Sequence, residues 1–349
     1  MMLETFFSEE HGELLERIAC PCCAADDAET YRVAHDRLFG RPGKHFVVRC
    51  RACGMNYTNP RPTFESLGNH YPGDYFCYDP PETLRGLKKV VLGAVIRGLV
   101  KRRIQMLERV TGRLTANARV CDVGCSYGEL LAAMRKERGC DVTGVDFNRK
   151  MADYGRSRGV PIIHGTLKDA MFDDGTFDVV TMTEYLEHES DPMDVLAECR
   201  RVTRPGGYVA VEVPLISTMT ARVFGDFWSQ LDLPRHLMFF TPDTLTRALS
   251  DVGYEVVSVR TAPGSVGMSL LHLFGYERIG RMTATDIVAT ALATIPLIPV
   301  LPFLHEFMFV VARTKTVPAT RRISSVPPPR QLLPRASSPE AAADPLSAA

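Results

Sequence analysis

Ten cysteines are present, and five of them are clustered near the N-terminus. Cys20 and Cys23 are separated by two residues, and Cys50 and Cys53 repeat that spacing after a gap of 26 residues. Zinc prefers four soft ligands in a tetrahedron, and two such pairs supply them. We therefore predict a closed, structural zinc site at these four cysteines. Cys22 stays open as an alternative to Cys23, and free thiols in a small core are the alternative to zinc.

A second group of residues that could do chemistry surrounds a loop in the middle of the chain. Asp122 ends a predicted strand, Gly124 makes the turn and Gly128 begins the next helix, while a second predicted strand ends at Asp146. An acid at that position can accept two hydrogen bonds from a ribose diol. A dinucleotide site needs three glycines, and the acid Asp122 would repel a pyrophosphate. The loop therefore favours a ligand that combines a ribose with positive charge.

Carboxylates and an imidazole follow the predicted fourth strand, at the edge where parallel sheets bind ligands. If this segment is helical, Glu184, Glu187 and His188 share one face, because they are three and four positions apart. Such a face could provide a general base or hold a divalent ion. His236 is a further candidate base. The alternatives are that Glu187 and His188 only orient the loop, and that His236 is bonded to the backbone.

The elements that position these groups alternate between strands and helices. Short apolar runs are separated by helical patterns of about ten residues, which is the length that a parallel crossover needs. The helices are predicted at 128–137, 149–158, 191–203 and from 241. The strands are predicted at 119–123, 141–146, 160–164, 177–182, 208–213, 254–260 and 307–312. The last strand follows a 45-residue excursion and could insert antiparallel.

From about residue 118 to 260, the sequence resembles the class I S-adenosylmethionine-dependent methyltransferases. The segments that carry the resemblance are DVGCSYG (Asp122–Gly128), FDVVTMTEYLEHESDP (Phe177–Pro192) and RVTRPGGYVAVEVP (Arg201–Pro214). The family implies a doubly wound, mostly parallel α/β sheet of seven strands and an S-adenosylmethionine site. The residues implied to hold the cofactor are Asp122, Gly124, Cys125, Gly128 and Asp146, with Leu167 and Thr183 beside it. Many members have glycine where this chain has Ser126.

Two smaller resemblances extend this prediction. The segment EYLEH (Glu184–His188) is similar to the quinone-biosynthesis O-methyltransferases, which use that region for metal binding and catalysis. The cysteine-rich segment and the following Asn59–Pro62 resemble a zinc-ribbon extension found ahead of some bacterial methyltransferases. We therefore expect Glu187, His188 and His236 to act in catalysis and zinc at the cysteines to be structural.

Composition and charge set the remaining expectations. The 41 basic residues equal the 41 acidic ones, so no global field attracts nucleic acid. The N-terminus lacks the pattern of a signal peptide, which predicts a cytoplasmic protein. We divide the chain into a zinc-ribbon module (1–80), a basic linker helix (83–112), a methyltransferase domain (113–315) with an apolar insertion (283–305), and a disordered tail (316–349).

The basic helix and the apolar insertion allow two interpretations. The helix packs an apolar stripe of Leu87, Val91, Val95 and Leu99 on the sheet, or it forms a peripheral membrane surface together with residues 287–304. The latter segment has no charge over 18 residues but contains three prolines, which would break a regular helix.

The predicted function is S-adenosylmethionine-dependent methyl transfer to a small-molecule, sugar or lipid-linked acceptor. The alternatives are a quinone-type O-methyltransferase with a metal-assisted site, a non-catalytic cofactor-binding scaffold, and an NAD-linked oxidoreductase.

Overall fold

The computed structural model describes residues 2–71, 86–264, 266–273 and 305–315. The apolar segment 287–304, the tail 316–349 and the start of the predicted linker helix lie outside these residues. None of the described helices is both long enough and apolar enough to cross a membrane.

Strands and helices alternate along the chain much as the hydrophobic pattern predicts. The strands are β1 (Met2–Ser8), β2 (Glu13–Ile18), β3 (Ala28–Ala34), β4 (His45–Cys50), β5 (Asn56–Thr58), β6 (Arg61–Pro62), β7 (Arg119–Val123), β8 (Asp141–Asp146), β9 (Ile162–His164), β10 (Phe177–Thr183), β11 (Thr203–Pro214), β12 (Met238–Phe239), β13 (Tyr254–Pro263) and β14 (His305–Thr314). The helices are α1 (Phe64–Leu67), α2 (Gly86–Thr111), α3 (Glu129–Arg138), α4 (Arg149–Ser157), α5 (Pro192–Val202), α6 (Met219–Phe224), α7 (Pro242–Asp251) and α8 (Val266–Leu273).

The central sheet has seven strands in the order β13-β14-β11-β10-β7-β8-β9. All neighbouring pairs from β11 to β9 are parallel, and β14 is antiparallel to both β11 and β13. The doubly wound fold and the antiparallel last strand are confirmed. The strand order reverses between β7 and β10, so the loops that follow these two strands meet at the carboxyl edge, where open α/β sheets bind ligands.

Local sequence explains where the flanking helices begin. The Asp191 side chain accepts a hydrogen bond from the Asp194 N–H and a proline follows it, while Thr241 forms a capping box with Thr244. These caps satisfy backbone donors that the first helical turn leaves free. The predicted starts of α5 and α7 are confirmed, but β11 begins at Thr203, five residues before its predicted start.

Helices cover both faces of the central sheet. Buried residues of α5 and α7 belong to one apolar core, and those of α2, α3 and α4 belong to another. Of the predicted stripe on α2, Val95 is exposed and Leu99 is half-buried, while the side chains of Leu87 and Val91 lie outside the described part of the chain. The helix buries Val100, Ile104 and Leu107, which follow the predicted stripe. This packing on the sheet is the first of the two interpretations of that helix.

The N-terminal segment is built into the same structure. Its strands β3, β4 and β5 form a four-stranded sheet with β12, which comes from residues 238–239. Ile18, Val48 and Tyr57 share one apolar core with residues of the central sheet. The boundary predicted near residue 80 is therefore not a boundary in the packing, because residues from both sides of it share one core.

Candidate functional site

The loop between β7 and α3 depends on glycine for two different reasons. Gly124 has a φ of +71°, and a Cβ there would lie 2.1 Å from the ring of Tyr185. Gly128 has a φ of +80°, and a Cβ there would lie 2.8 Å from a methyl group of Val160. Gly124 therefore lets the loop following β10 approach closely, whereas Gly128 lets α3 pack against the neighbouring strand.

Asp146 ties the ends of two strands together. One carboxylate oxygen accepts a hydrogen bond from the Ser126 N–H at 2.7 Å, and the other accepts one from the Asn148 N–H at 2.8 Å. Burial raises the pKa of Asp146, while these two backbone donors oppose that shift. Each oxygen keeps a further lone pair for a ribose hydroxyl.

A cavity of about 1270 Å³ opens along this edge of the sheet. The predicted cofactor residues Gly124 and Asp146 line one part of it, together with Ser126, Gly165 and Thr166. We call this part the cofactor half. Phe147 and Met151 also line it, and sequence analysis did not single them out. The signal at Phe147 is its position directly after the strand-ending acid, where its side chain is 60% exposed.

The other predicted cofactor residues are not among the described residues that line this cavity. Leu167 is buried in the core, Thr183 is half-buried at the end of β10, and the Cys125 thiol packs against Gly144. Asp122 is 2% exposed and accepts a hydrogen bond from the Thr181 hydroxyl at 2.6 Å. Burial raises the pKa of Asp122 to about 7. Cys125 and Asp122 therefore support the loop from beneath, and their contact with a cofactor stays a prediction.

Glu187, His188 and His236 also line this cavity, where they lie together. Their ligating atoms are all within 4.8 Å of one another, and the two imidazole rings meet edge to face with centroids 4.6 Å apart. Glu187 is 1% exposed, and neither of its carboxylate oxygens has a hydrogen-bond partner in any other described residue. We call this group the His–Glu cluster.

Backbone carbonyls determine the tautomers of both imidazoles. Nδ1 of His188 lies 3.1 Å from the carbonyl oxygen of Arg235, and Nδ1 of His236 lies 2.9 Å from that of Gln230. A carbonyl only accepts hydrogen bonds, so each Nδ1 carries the proton and each Nε2 keeps its lone pair. The Tyr71 hydroxyl also lies 3.1 Å from Nδ1 of His188.

Burial sets the charge of the His–Glu cluster. It raises the pKa of Glu187 well above the usual range and lowers the pKa of His188 to about 3, with the neighbouring His236 contributing to the latter shift. The pKa of His236 is lowered for the same reason. Both imidazoles are therefore neutral near pH 7 and can accept a proton or bind a metal ion.

The helical arrangement predicted for Glu184, Glu187 and His188 is wrong. Only Leu186–His188 form a short 3-10 turn, and Glu184 has a φ of +55°. This backbone turns the Glu184 side chain to Arg103, with which it forms an ion pair. His236 takes the third place beside Glu187 and His188 instead.

The four predicted zinc ligands come together in the N-terminal segment. Sulfur atoms of Cys20 and Cys53 are 3.5 Å apart, and those of Cys23 and Cys50 are 3.6 Å apart. These distances suit a tetrahedron of thiolates around zinc, whose Zn–S bonds are about 2.3 Å long. Cys22 lies outside the group, which favours Cys23 as the ligand.

The two cysteine turns have the same local geometry. The N–H of Ala24 donates to the carbonyl of Cys20, and the N–H of Gly54 donates to that of Cys50. Ala24 and Gly54 both have positive φ, at 60° and 77°. The turns therefore place each cysteine pair through local backbone structure alone.

Comparisons with known proteins agree with this geometry, which defines a doubly wound domain with a nucleoside-cofactor site at its switch point. The sequence profile of a family described as a methyltransferase domain matches residues 97–259. A ubiquinone biosynthesis O-methyltransferase of Methylococcus capsulatus is 30% identical over 171 residues, which cover 45% of this chain and 70% of that protein. The chain belongs to the class I S-adenosylmethionine-dependent methyltransferases.

Other relatives match over shorter segments. The enzyme of the same name from Vibrio parahaemolyticus is 37% identical over 111 residues, which are 30% of this chain and 46% of that protein. The chain thus spans less than half of the length of this relative. The solved structure of geranyl diphosphate C-methyltransferase from Streptomyces coelicolor has a TM-score of 0.48 and 16% identity, covering 70% of this chain and 89% of that one.

Proposed function

We propose that this protein transfers a methyl group from S-adenosylmethionine to a small-molecule acceptor held between the cofactor edge and the His–Glu cluster. The observation that carries this proposal is that one cavity connects Gly124 and Asp146 with Glu187, His188 and His236. Ligand pockets usually measure about 300–1,000 Å³, so a cavity of about 1270 Å³ has room for a cofactor and an acceptor.

The cofactor half has the groups that this ligand requires. The Asp146 carboxylate would accept hydrogen bonds from the ribose hydroxyls, the loop at Gly124 would contact the cofactor through its backbone, and Phe147 offers an apolar surface for the adenine. When bound, S-adenosylmethionine supplies an electrophilic methyl carbon: the acceptor heteroatom forms the new bond with its lone pair, and the sulfur keeps the electrons of the broken bond.

Apolar side chains line part of the remaining cavity, which we call the acceptor half. Its walls include Leu38 and Leu67 from the N-terminal segment, Leu99 from α2, and Leu231 and Phe307. Such walls stabilise an acceptor that buries apolar surface, at about 25 cal/mol per Å². They favour an aromatic or lipid-linked acceptor over a bare sugar.

The two neutral imidazoles orient a protic acceptor group. The Nε2 lone pair of His236 would accept a hydrogen bond from an acceptor hydroxyl and take its proton as the new bond forms. His188, whose pKa is about 3, would serve to orient the acceptor by a hydrogen bond. Because both imidazoles line the same cavity as Gly124 and Asp146, they would fix the nucleophile near the cofactor, which removes much of the entropic barrier.

A metal-assisted O-methyltransferase is the second candidate, and the buried carboxylate of Glu187 favours it. Two imidazoles that each donate Nδ1–H to a carbonyl, beside a carboxylate without a partner, match a divalent-ion site with ordered outer contacts. Glu187, His188 and His236 would hold the ion, which would polarise an acceptor hydroxyl and lower its pKa. The names of the quinone-biosynthesis relatives are consistent with this candidate.

The first experiment measures cofactor binding by isothermal titration with S-adenosylhomocysteine. Asp146→Ala should bind about 10- to 100-fold more weakly than the wild type, because hydrogen bonds to a charged group contribute about 1.5–3 kcal/mol. Asp251→Ala, at an exposed position of α7, is the matched control and should bind like the wild type. Equal affinity of all three proteins would contradict the cofactor site, and no binding to a folded wild type would contradict the function.

The second experiment separates the two candidates by metal analysis. Protein dialysed against Mn²⁺ should retain an ion that Glu187→Gln does not retain if the site is metal-assisted. Glu255→Gln, on an exposed edge of the sheet, is the control. If Glu187→Gln retains the same ion content as the wild type, the metal-assisted candidate is contradicted, and the imidazoles remain as the acid–base groups of the cluster.

A further inference from the structure

A buried salt bridge connects the N-terminal segment with the loop that carries His236. Arg235, 0% exposed, forms a buried salt bridge with Asp36, which lies 199 positions earlier in the chain between β3 and β4. The guanidinium donates to both oxygens of the Asp36 carboxylate, at 2.8 and 3.2 Å. A bidentate pair of this kind fixes the guanidinium in orientation as well as in position.

The same guanidinium also holds Asp232. Its Nε and one terminal nitrogen donate to one Asp232 oxygen at 3.0 and 2.7 Å. A further N–H donates to the backbone carbonyl of His70, again in the N-terminal segment, at 3.3 Å. Arg235 therefore connects Asp36 and His70 on one side with Asp232 on the other.

Arg235 and Asp232 both contact the imidazole pair. The backbone carbonyl of Arg235 accepts the Nδ1–H of His188, and the second Asp232 oxygen lies 3.9 Å from Nε2 of His236. The N–H of His236 donates to the Asp232 carbonyl at 3.0 Å. A shift of Arg235 would consequently move the carbonyl that bonds the His188 ring and the residue that bonds the His236 backbone.

Two more residues of the N-terminal segment, Thr58 and Tyr71, contact this loop and His188, respectively. The Thr58 hydroxyl donates to the carbonyl of His236 at 2.9 Å, and the Thr58 N–H donates to the carbonyl of Leu237 at 2.9 Å. The Tyr71 hydroxyl lies against His188, as described above. Contacts from Asp36, Thr58 and Tyr71 thus reach the imidazole pair from three separate points.

We infer that Asp36 and Arg235 are positioning residues through which the N-terminal segment holds His188 in its Nδ1–H tautomer and fixes the loop that carries His236. This inference rests on the proposed function, since it concerns the acceptor side of the same cavity. The cysteine-rich segment is then a part of the acceptor site, while the cofactor half, formed by β7, β8 and their loops, is independent of it.

The test compares Asp36→Asn with Tyr71→Phe and the wild type in zinc-loaded, full-length protein. Long-range ¹H–¹⁵N spectra of histidine-labelled protein report the tautomer of each ring, with His188→Gln and His236→Gln for assignment. We expect one tautomer per ring in the wild type and a mixture at His188 in Asp36→Asn. Tyr71→Phe, which leaves the salt bridge intact, should keep the Nδ1–H tautomer with a shifted His188 resonance.

Binding of S-adenosylhomocysteine separates this inference from the proposed function. All three proteins should bind it within about twofold of one another. Wild-type tautomers in a folded Asp36→Asn would overturn the positioning role, whereas absence of binding in the wild type would overturn the function. If Asp36→Asn does not fold, Arg235→Lys replaces it, because lysine keeps the positive charge but cannot form the bidentate pair: a mixture of tautomers at His188 supports the role, and the wild-type tautomer in the folded variant contradicts it.

Discussion

The two clusters of ligating side chains differ in the way they are built. The four cysteines come from two local turns and form a set that fills a tetrahedron. The His–Glu cluster has three residues, drawn from the turn after β10 and from a loop almost 50 residues later, and it contains a buried carboxylate without a partner in another described residue. Closed ligand sets stabilise structure, whereas open sets leave room for a substrate.

If zinc and an acceptor bind as proposed, stability and chemistry are assigned to different clusters of one molecule. Burial of Glu187 is unfavourable unless an ion or an acceptor compensates it, because an unpaired buried polar group loses its hydration. The protein keeps this unfavourable arrangement next to the cavity, where a ligand can offset it, and satisfies its other cluster completely if zinc is bound.

The largest expected effect is the loss of the closed site. Cys50→Ser should lose zinc and unfold the N-terminal segment, since the binding free energy of a structural zinc, about 10–16 kcal/mol in small peptides, is also folding free energy. Zinc content and thermal unfolding measure the result. Cys22→Ser is the matched control and should keep zinc. If Cys22→Ser loses zinc while Cys23→Ser keeps it, the ligand assignment is wrong.

Removing the carboxylate of the His–Glu cluster should increase the stability of the protein, whereas removing a zinc ligand should reduce it. In protein that carries one equivalent of zinc and no second ion, Glu187→Leu should raise the free energy of unfolding by about 1–3 kcal/mol. The reason is that it removes a buried group without a partner in another described residue. Denaturant unfolding followed by circular dichroism measures this difference. Leu186→Ala, at the neighbouring buried position, should lower stability by about 2–5 kcal/mol and serves as the control for packing. Destabilisation by Glu187→Leu would show that the carboxylate has a stabilising partner.

Per unit of pH, the smallest expected effect is a dependence of stability on pH, with opposite signs for Glu187 and His188 of the His–Glu cluster. The pKa of Glu187 is raised by folding, so its contribution to stability is present below about pH 4.5 and is lost as the pH rises through the folded value. The pKa of His188 falls from 6.5 to about 3, so its contribution is present above pH 6.5 and is lost as the pH falls toward 3.

Unfolding free energies at several pH values test this pair. Relative to Glu187→Gln, the wild type should become less stable as the pH rises from 4.5 to neutral. Relative to His188→Gln, it should become less stable as the pH falls below 6.5. Each slope is limited to about 1.4 kcal/mol per pH unit for one proton. Parallel curves for the wild type and either variant would refute the corresponding shift.

Much of the fold could be predicted from local patterns. The periodicity of apolar residues and the Asp191 and Thr241 caps located the seven strands of the central sheet and the helices between them within about five residues, whereas β1–β6 and β12 were not predicted. The turn at Gly124 and the acid at Asp146 located the cofactor edge, because both motifs act through neighbouring backbone. The cysteine spacing located the cluster of four cysteines that we predict to bind zinc, for the same reason, and only the choice between Cys22 and Cys23 needed the structure.

The acceptor side could not be predicted in the same way. No periodic signal connects Asp36 with Arg235 or Tyr71 with His188, and a positive φ at Glu184 removed that acid from the cluster that its spacing suggested. The buried state of Glu187 also depends on neighbours that are distant in the chain.

The sequence by itself determined the doubly wound sheet, the cofactor edge and the pairing of the cysteines, because each depends on interactions between residues close along the chain. Only the tertiary structure decided which carboxylate joins the two imidazoles, which tautomers these adopt, and that residues of the N-terminal segment line the same cavity. These features depend on long-range packing, where burial rather than residue type sets the charge and the partner of each side chain.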